Sequence, residues 1–414
     1  MKSCRLIGIG MGQIDQLSQK AVEAIQKAPL VAGAERMLSA VGSLVRGKKL
    51  VTYDSHKIAS AFSSYADTAG IPCALFSGDT GFYSGAGSLC RLLKQEGWNV
   101  EIIPGISTPQ YFASRLGESW QDWHLVSAHG TDIDIGASLT YSAKTFFLTG
   151  GSISLSSIAR YLIDHDIQAS LSVGSRLGYE EDSGSGELIF SVSPQDLLSR
   201  NDYDENLSCL LVSRIMPELP HGALPDDFFI RNDSCSDGQK LVPMTKRLVR
   251  AAILSLLSVT DGETVWDIGG GTGAVSIDLA RSAHCSVHTV EEKDYACDLI
   301  RRNREKAGAV NLSLYCGHAP EVLKNLPAPH AVFIGGSQGE METILHSIYQ
   351  KNPAARVLLS AVSLETLSEA ERIAEKLKLE YQVTEISVSQ SKKAGSHHLM
   401  QSQNSICLIS FISG

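Results

Sequence analysis

Trp266-Asp267-Ile268-Gly269-Gly270-Gly271-Thr272-Gly273-Ala274 is the stretch on which the reading of this chain turns. It completes a β-branched strand pattern at 264–268 and leads into a helical one, so it occupies a strand-to-helix turn. Glycines there let the backbone fold tightly and approach a ligand, and the first turn of the following helix offers free N–H groups. On spacing alone, Gly269, Gly271 and Ala274 satisfy the G-x-G-x-x-G/A dinucleotide fingerprint. A nicotinamide-dependent reductase is therefore one reading of the loop, and a plain tight turn is another.

Two acids point elsewhere. Asp267 stands two residues before the first glycine, where a carboxylate can hold the ammonium of an amino acid. Glu291 ends the next strand pattern, at 286–291, where an acid meets ribose hydroxyls. A cofactor that carries both an amino-acid tail and a ribose is S-adenosylmethionine (SAM).

Outward from this loop the chain alternates short strands and helices, the mark of α/β sheets. Beyond 264–268 and 286–291, the second half has strand patterns at 312–316, 331–335, 356–362, 381–389 and 405–412, a doubly wound sheet with an antiparallel edge. A helix precedes them, with Leu248, Val249, Ala252, Ile253, Leu256 and Leu257 at helical spacing and Thr245 as its expected N-cap. The first half places strands at 5–10, 30–33, 71–77, 100–103 and 124–127. The pattern restarts with strands at 145–149, 169–173, 187–190 and 208–215, giving two α/β lobes. Between the halves, 216–239 holds three prolines and the polar string Arg231-Asn-Asp-Ser-Cys-Ser-Asp-Gly238, read as an interdomain connection. The domains expected are 1–215 and 240–414, with 216–239 as linker.

A chain of 414 residues with a net charge of −9 has the length for two or three domains and no basic stretch for nucleic acid. No leader-like or bilayer-spanning apolar run is visible, and the nine cysteines stand singly without a CxxC pair. A cytoplasmic enzyme with no metal site and no membrane partner is the expectation. His397-His398, the only histidine pair, reads as part of a solvated loop.

Motifs sharpen this. Pro243-Met244-Thr245-Lys246, the glycine loop, Glu291, Gly317-His318-Ala319-Pro320-Glu321, Val332-Phe333-Ile334-Gly335-Gly336-Ser337 and 361–367 resemble, in that order, the decarboxylating precorrin methyltransferase domain, a class I SAM-methyltransferase of Rossmann-like fold. The resemblance covers 240–414 and implies SAM contacts at Thr245, Gly269, Gly270, Gly271, Thr272, Gly273, Glu291 and Ala319, beside Asp267. The chain departs from that pattern at His318 and Ser360.

In the first half, Gly8-Ile9-Gly10-Met11-Gly12, Ala32-Gly33-Ala34-Glu35-Arg36, Ser77-Gly78-Asp79-Thr80-Gly81-Phe82-Tyr83, Pro104-Gly105-Ile106-Ser107, Ser127-Ala128-His129-Gly130 and Leu177-Gly178-Tyr179-Glu180 resemble the tetrapyrrole (class III) methylases. Met11 and Thr80 replace prolines of that pattern. The resemblance spans about residues 4–215 and implies a two-lobed fold with a second SAM contacting Gly78, Asp79, Phe82, Ile106 and Ser107.

Together the resemblances imply one SAM per domain and methylation of a precorrin or cobalt-precorrin at ring carbons 5 and 15. They also imply loss of carbon dioxide from the carbon-12 acetate, in cobalamin biosynthesis, by a homo-oligomer. SAM is already electrophilic, so the protein's task is alignment and exclusion of water, and no protein nucleophile is needed. His129 and Asp79 are the candidates for moving protons. Arg36, Lys246, Arg247 and Arg250 are candidates for holding the macrocycle's carboxylates. An alternative makes the second domain alone catalytic and the first a corrinoid-binding module.

Overall fold

In the computed structural model, the described residues are 2–66, 70–129, 132–179, 186–232 and 241–412. Gly130, Glu180, Cys235 and the part of the expected linker at 233–239 lie outside them. The chain divides into two compact units. The first comprises Met1–Ile133, Lys144–Arg160 and Ala169–Ser213; the second comprises Asp134–Ala143, Tyr161–Gln168 and Arg214–Gly414.

The first unit holds two five-stranded sheets. One is built from β1 (Ser3–Gly8), β2 (Leu30–Gly33), β3 (Lys48–Val51), β4 (Cys73–Phe76) and β5 (Asn99–Ile103), all parallel, in the order β3-β2-β4-β1-β5. Its central strands are short apolar runs because both faces are covered: Leu6, Ile7, Val31, Ala32, Cys73 and Ala74 are all fully buried. The other contains β6 (Trp123–Ser127), β7 (Lys144–Leu148), β8 (Ser170–Ser175), β9 (Leu188–Val192) and β10 (Ser208–Ser213), in the order β6-β7-β10-β8-β9. Only β6 and β7 pair in parallel there. Helix Thr108–Leu116 begins on a capping box between Ser107 and Gln110 and ends on left-handed Gly117. Its Phe112 packs so close to β8 that a Cβ on Gly174 would stand 2.8 Å from the ring.

The second unit is a seven-stranded sheet. Its strands are β11 (Thr264–Ile268), β12 (Ser286–Glu291), β13 (Leu312–Cys316), β14 (Ala331–Ile334), β15 (Arg356–Ala361), β16 (Glu380–Ile386) and β19 (Ile406–Ile412), ordered β13-β12-β11-β14-β15-β19-β16. A separate exposed hairpin, β17 (Ser389–Ala394) with β18 (His397–Ser402), lies between β16 and β19 in the chain. Alternation along the strands divides the core into two faces. Val265, Phe333, Leu358 and Leu408 pack with helices Arg247–Leu257 and Ala274–Ser282, while Trp266, Ile334, Leu359 and Ile409 pack with Met341–Lys351 and Leu364–Leu377.

Four sequence expectations are corrected. The antiparallel strand, β19, is not at the edge; it inserts between β15 and β16, antiparallel to both. Lys246, not Thr245, is the N-cap of Arg247–Leu257. His397 and His398 belong to β18 rather than to a loop. The proline-rich stretch is not a free tether: Leu224 and Phe229 are buried in the core of the second unit. Side chains pin its backbone there, since the Leu224 N–H donates to Asp278 at 3.0 Å and the Ile230 N–H to Asn303 at 2.7 Å.

Candidate functional site

At the carboxyl end of β11 the chain turns through Gly269 (φ +79°) and Gly271 (φ +56°) before Ala274–Ser282 begins. Only glycine holds that backbone cheaply. A Cβ on Gly269 would also stand 3.0 Å from the Gly336 nitrogen. The loop, the ends of β12 and β14 and the segment 241–245 enclose a cavity of about 370 Å³. Thr245, Asp267, Gly269, Gly270, Gly271, Thr272, Glu291 and Ala319 all line it. Gly273 does not: it caps the helix, its N–H bonded to the Gly270 carbonyl at 2.8 Å, and a Cβ there would stand 3.2 Å from Ile300.

The two acids differ in state. Glu291 is already engaged, accepting the Gly271 N–H at 2.8 Å through Oε2 and the Lys293 N–H at 3.0 Å through Oε1. Asp267 is 1% exposed; the Ser276 hydroxyl donates to Oδ2, but Oδ1 is buried with no partner among the described residues. Burial, aided by the charge of Glu291, pushes its carboxyl up to about 7. A cation delivered to Oδ1 would supply the missing partner. The Thr272 hydroxyl oxygen, on the same cavity, is likewise buried and unbonded. Tyr295, Lys293 and Gln338 also line the cavity and escaped the sequence reading. The signals nearest them were Glu291, just before Lys293 and Tyr295, and Gly335-Gly336, at the end of the strand beside β11 and just before Gln338.

In the first unit, the carboxyl ends of β1, β4 and β5 meet backbone to backbone. A Cβ on Gly8 would lie 2.7 Å from the Gly105 nitrogen, and one on Gly105 would lie 2.5 Å from the Gly78 carbonyl oxygen. Gly10 and Gly78 exchange hydrogen bonds at 3.1 and 2.8 Å. Asp79 ties these loops together, accepting from Gly81 N–H at 2.6 Å and from Gly105 N–H at 3.2 Å. Gly78, Asp79 and Phe82 line a cleft of about 400 Å³ together with His129, Arg36 and Tyr179. A groove of about 840 Å³ along Gly10–Asp15 shares Met11, Arg36, Met37, Ser77 and Tyr179 with it.

Ile106 and Ser107 are not brought into the cleft. Ile106 packs against the Phe112 cluster and faces a separate groove of about 470 Å³ beside Gly8 and Gln110, while Ser107 caps its helix. Among the basic candidates, Arg36 is exposed, bonded to Tyr179 Oη at 3.3 Å and Ser77 Oγ at 3.2 Å. Arg250 is 0% exposed, paired with Asp278 at 2.6 Å and Asp226 at 2.8 Å, so it holds the helix layer and cannot reach a substrate. Arg247 spends its Nε on the Ala223 carbonyl at 2.9 Å. Lys246 is exposed at the helix start. His318 pairs with Glu321 at 2.6 Å, which raises the imidazole and lowers the carboxyl. Among the described residues there is no cluster suited to a metal ion and no helix long and apolar enough to cross a membrane.

Comparison with known proteins falls on the same two regions. Residues 4–184 match the family described as tetrapyrrole (corrin/porphyrin) methylases, and residues 236–412 match the one described as precorrin methyltransferase domain. The chain is 30% identical over 366 residues to a Sinorhizobium precorrin-6Y C(5,15)-methyltransferase (decarboxylating), covering 86% of this chain and 84% of that protein. It is 33% identical over 189 residues to a probable cobalt-precorrin-6B C(15)-methyltransferase (decarboxylating) of Pyrobaculum calidifontis, covering 45% of this chain and 93% of that one. Among solved structures, precorrin-6Y C5,15-methyltransferase from Geobacter metallireducens matches with 30% identity and a TM-score of 0.43, over 47% of this chain and all of that one.

Proposed function

The chain belongs to the precorrin-6Y C(5,15)-methyltransferases (decarboxylating), and from that premise we propose that it works as two SAM sites, one in a domain at 1–215 and one in a domain at 240–414. It is a SAM-dependent C-methyltransferase of cobalamin biosynthesis acting on a precorrin. Because the family's reaction includes carbon 5 as well as carbon 15, the first domain has chemistry of its own, and a merely binding role for it loses its support.

The observation that carries the second site is the orphaned Asp267 Oδ1, buried on the cavity wall beside a glycine loop. It fits the methionine ammonium, and Glu291, at the end of the next strand, fits the ribose hydroxyls. Thr245, Gly269–Gly271, Thr272 and Ala319 form the walls, with Gly273 holding the loop from beneath. SAM supplies an electrophilic methyl; the residues here orient it, exclude water and offset its charge. In the first domain the proposed contacts are Gly78, Asp79 and Phe82, with Ile106 and Ser107 entering only as the loop behind Asp79. Arg36 and Lys246 meet peripheral carboxylates of the macrocycle. His129, on the cleft, is the proposed proton carrier of the first domain; Asp79, occupied by two N–H groups, positions loops instead.

The reading includes a homo-oligomer working in the cytoplasm. The hairpin β17–β18, exposed at every residue and carrying Leu399 and Met400, supports the oligomer, and light scattering on the purified chain checks it. Mass spectrometry of the product formed from SAM and a reduced precorrin, with and without cobalt, tests the reaction. The expected product gains two methyls and loses one carbon dioxide; a single methyl, or one SAM bound per chain, overturns the two-site reading.

A further inference from the structure

Two cysteines meet behind the wall of the second cavity. Cys297, on the helix Asp294–Ala307, is fully buried, and its thiol donates to the Glu291 carbonyl oxygen at 3.4 Å. The same oxygen accepts the Gly317 N–H at 2.9 Å. Gly317 directly follows Cys316, the last residue of β13 and the register partner of Glu291. One carbonyl therefore gathers the Cys297 sulfur and the backbone next to Cys316. Cys316 is exposed, and Arg301, one turn beyond Cys297 on the helix, donates to its sulfur from Nη2 at 3.3 Å. The pair is asymmetric: burial and the adjacent Cys316 thiol hold the Cys297 thiol well above its ordinary range, so it stays protonated. An exposed sulfur beside a guanidinium is the more reactive member.

We propose that Cys316 and Cys297 form a peroxide-sensitive thiol pair whose closure into a disulfide weakens SAM binding in the second cavity. The Cys316 thiolate attacks a hydroperoxide, giving Cys316 sulfenic acid and releasing hydroxide or alkoxide. The Cys297 thiol then displaces the sulfenic hydroxyl; the sulfur–sulfur bond forms, and the thiol proton leaves with that hydroxyl as water. A dithiol reductant reverses the step. A disulfide requires sulfurs about 2.05 Å apart, so closure takes Cys297 from the Glu291 carbonyl and drags Cys316 inward. Gly317 and His318, which line the cavity, follow. Glu291 lines the same cavity and holds Gly271, so both ends of the link bear on the wall. The gating half of this inference rests on the cofactor reading above; the disulfide half does not.

The test uses the full chain. Stoichiometric hydrogen peroxide, followed by alkylation and peptide mapping, should show a Cys297–Cys316 crosslink that a dithiol removes. SAM titration should then find one site about ten-fold weaker in the oxidised protein, restored on reduction, with Cys316→Ser unresponsive to peroxide. Cys316 going to sulfinic acid without a crosslink, or a crosslinked protein with unchanged SAM affinity, overturns the proposal. Reduced protein that binds no SAM at all sinks the cofactor reading instead, and the crosslink map still decides the thiol pair.

Discussion

Asp267, near the end of β11, and Asp79, just past β4, both sit beside glycine loops at the carboxyl ends of parallel strands, yet the structure partners them differently. Asp79 is partnered from within: one backbone N–H group of its own loop and one of the loop after β5 each occupy an oxygen, joining those two loops. Asp267 is buried with one oxygen unanswered and its ionisation made costly. A carboxylate bonded to backbone N–H groups, as Asp79 and Glu291 both are, holds loops in place whatever else it meets. One that the fold buries and leaves short of a partner carries a cost that a cation at Oδ1 would offset, which is the basis of the ligand role proposed for Asp267.

The sharpest way to break this comparison is Asp267→Asn. Losing the charge opposite an ammonium should cost about 2–3 kcal/mol of SAM binding, on the order of a hundred-fold, at one of two sites. Calorimetric titration showing both sites intact would end the ligand reading of Asp267. Asp79→Ala should do the reverse. It removes the carboxylate partner of one exposed and one part-buried N–H group, lowering the stability of the first unit by about 1 kcal/mol, while second-site SAM affinity stays put. Hydrogen exchange across 78–81 and 105–107 would locate the loss, and unchanged exchange there would refute the staple.

A third effect concerns pH. The Asp267 carboxyl is raised to about 7 in the folded chain, against an ordinary value near 3.8. The unfolded chain therefore releases this proton first, and this group's contribution to stability falls as pH rises from about 4 to about 7, then levels. An ammonium ligand needs the ionised form, so second-site SAM affinity should climb by up to about ten-fold per pH unit below 7 and plateau above. Titrations in buffers of different ionisation enthalpy would register the released proton. In Asp267→Asn the affinity slope should vanish and the stability profile should lose this group's contribution relative to the parent chain; an affinity slope that survives the substitution places the titrating group elsewhere.

That Asp267 and Glu291 line one cavity was legible in the sequence, because that placement follows from position along a strand relative to a glycine turn, a one-dimensional fact. Arg250 was not. It stands one residue from buried Val249 on an amphipathic helix, and nothing local reveals that Asp226 and Asp278, far along the chain in either direction, converge on it. Ile106 and Ser107 failed for a related reason: loop order shows that a segment passes the cleft, not which way its side chains face. Leu224 and Phe229 were hidden by proline-rich surroundings that signal irregular backbone but do not preclude burial. The β17–β18 hairpin, exposed on both faces, lacks the alternation by which a half-buried strand is recognised.

The smallest expected effect separates the basic residues as the first comparison separated the acids. Arg250 is neutralised by two carboxylates, whereas Arg36 is bonded to the neutral oxygens of Tyr179 and Ser77 on the wall shared by cleft and groove. A guanidinium so placed keeps its charge available for a carboxylate of the macrocycle, but in an exposed setting that is worth only about 1 kcal/mol. Arg36→Gln should therefore raise KM for the carbon-5 methylation by about five-fold and leave its kcat, the carbon-15 methylation and thermal stability nearly unchanged. Arg36→Lys should recover only part, because the planar fork that matches a carboxylate is gone. Resolving the two methylations by product mass at varied substrate decides it: a fall in kcat at constant KM would place Arg36 in the chemistry, and a drop in stability would place it, like Arg250, in the frame.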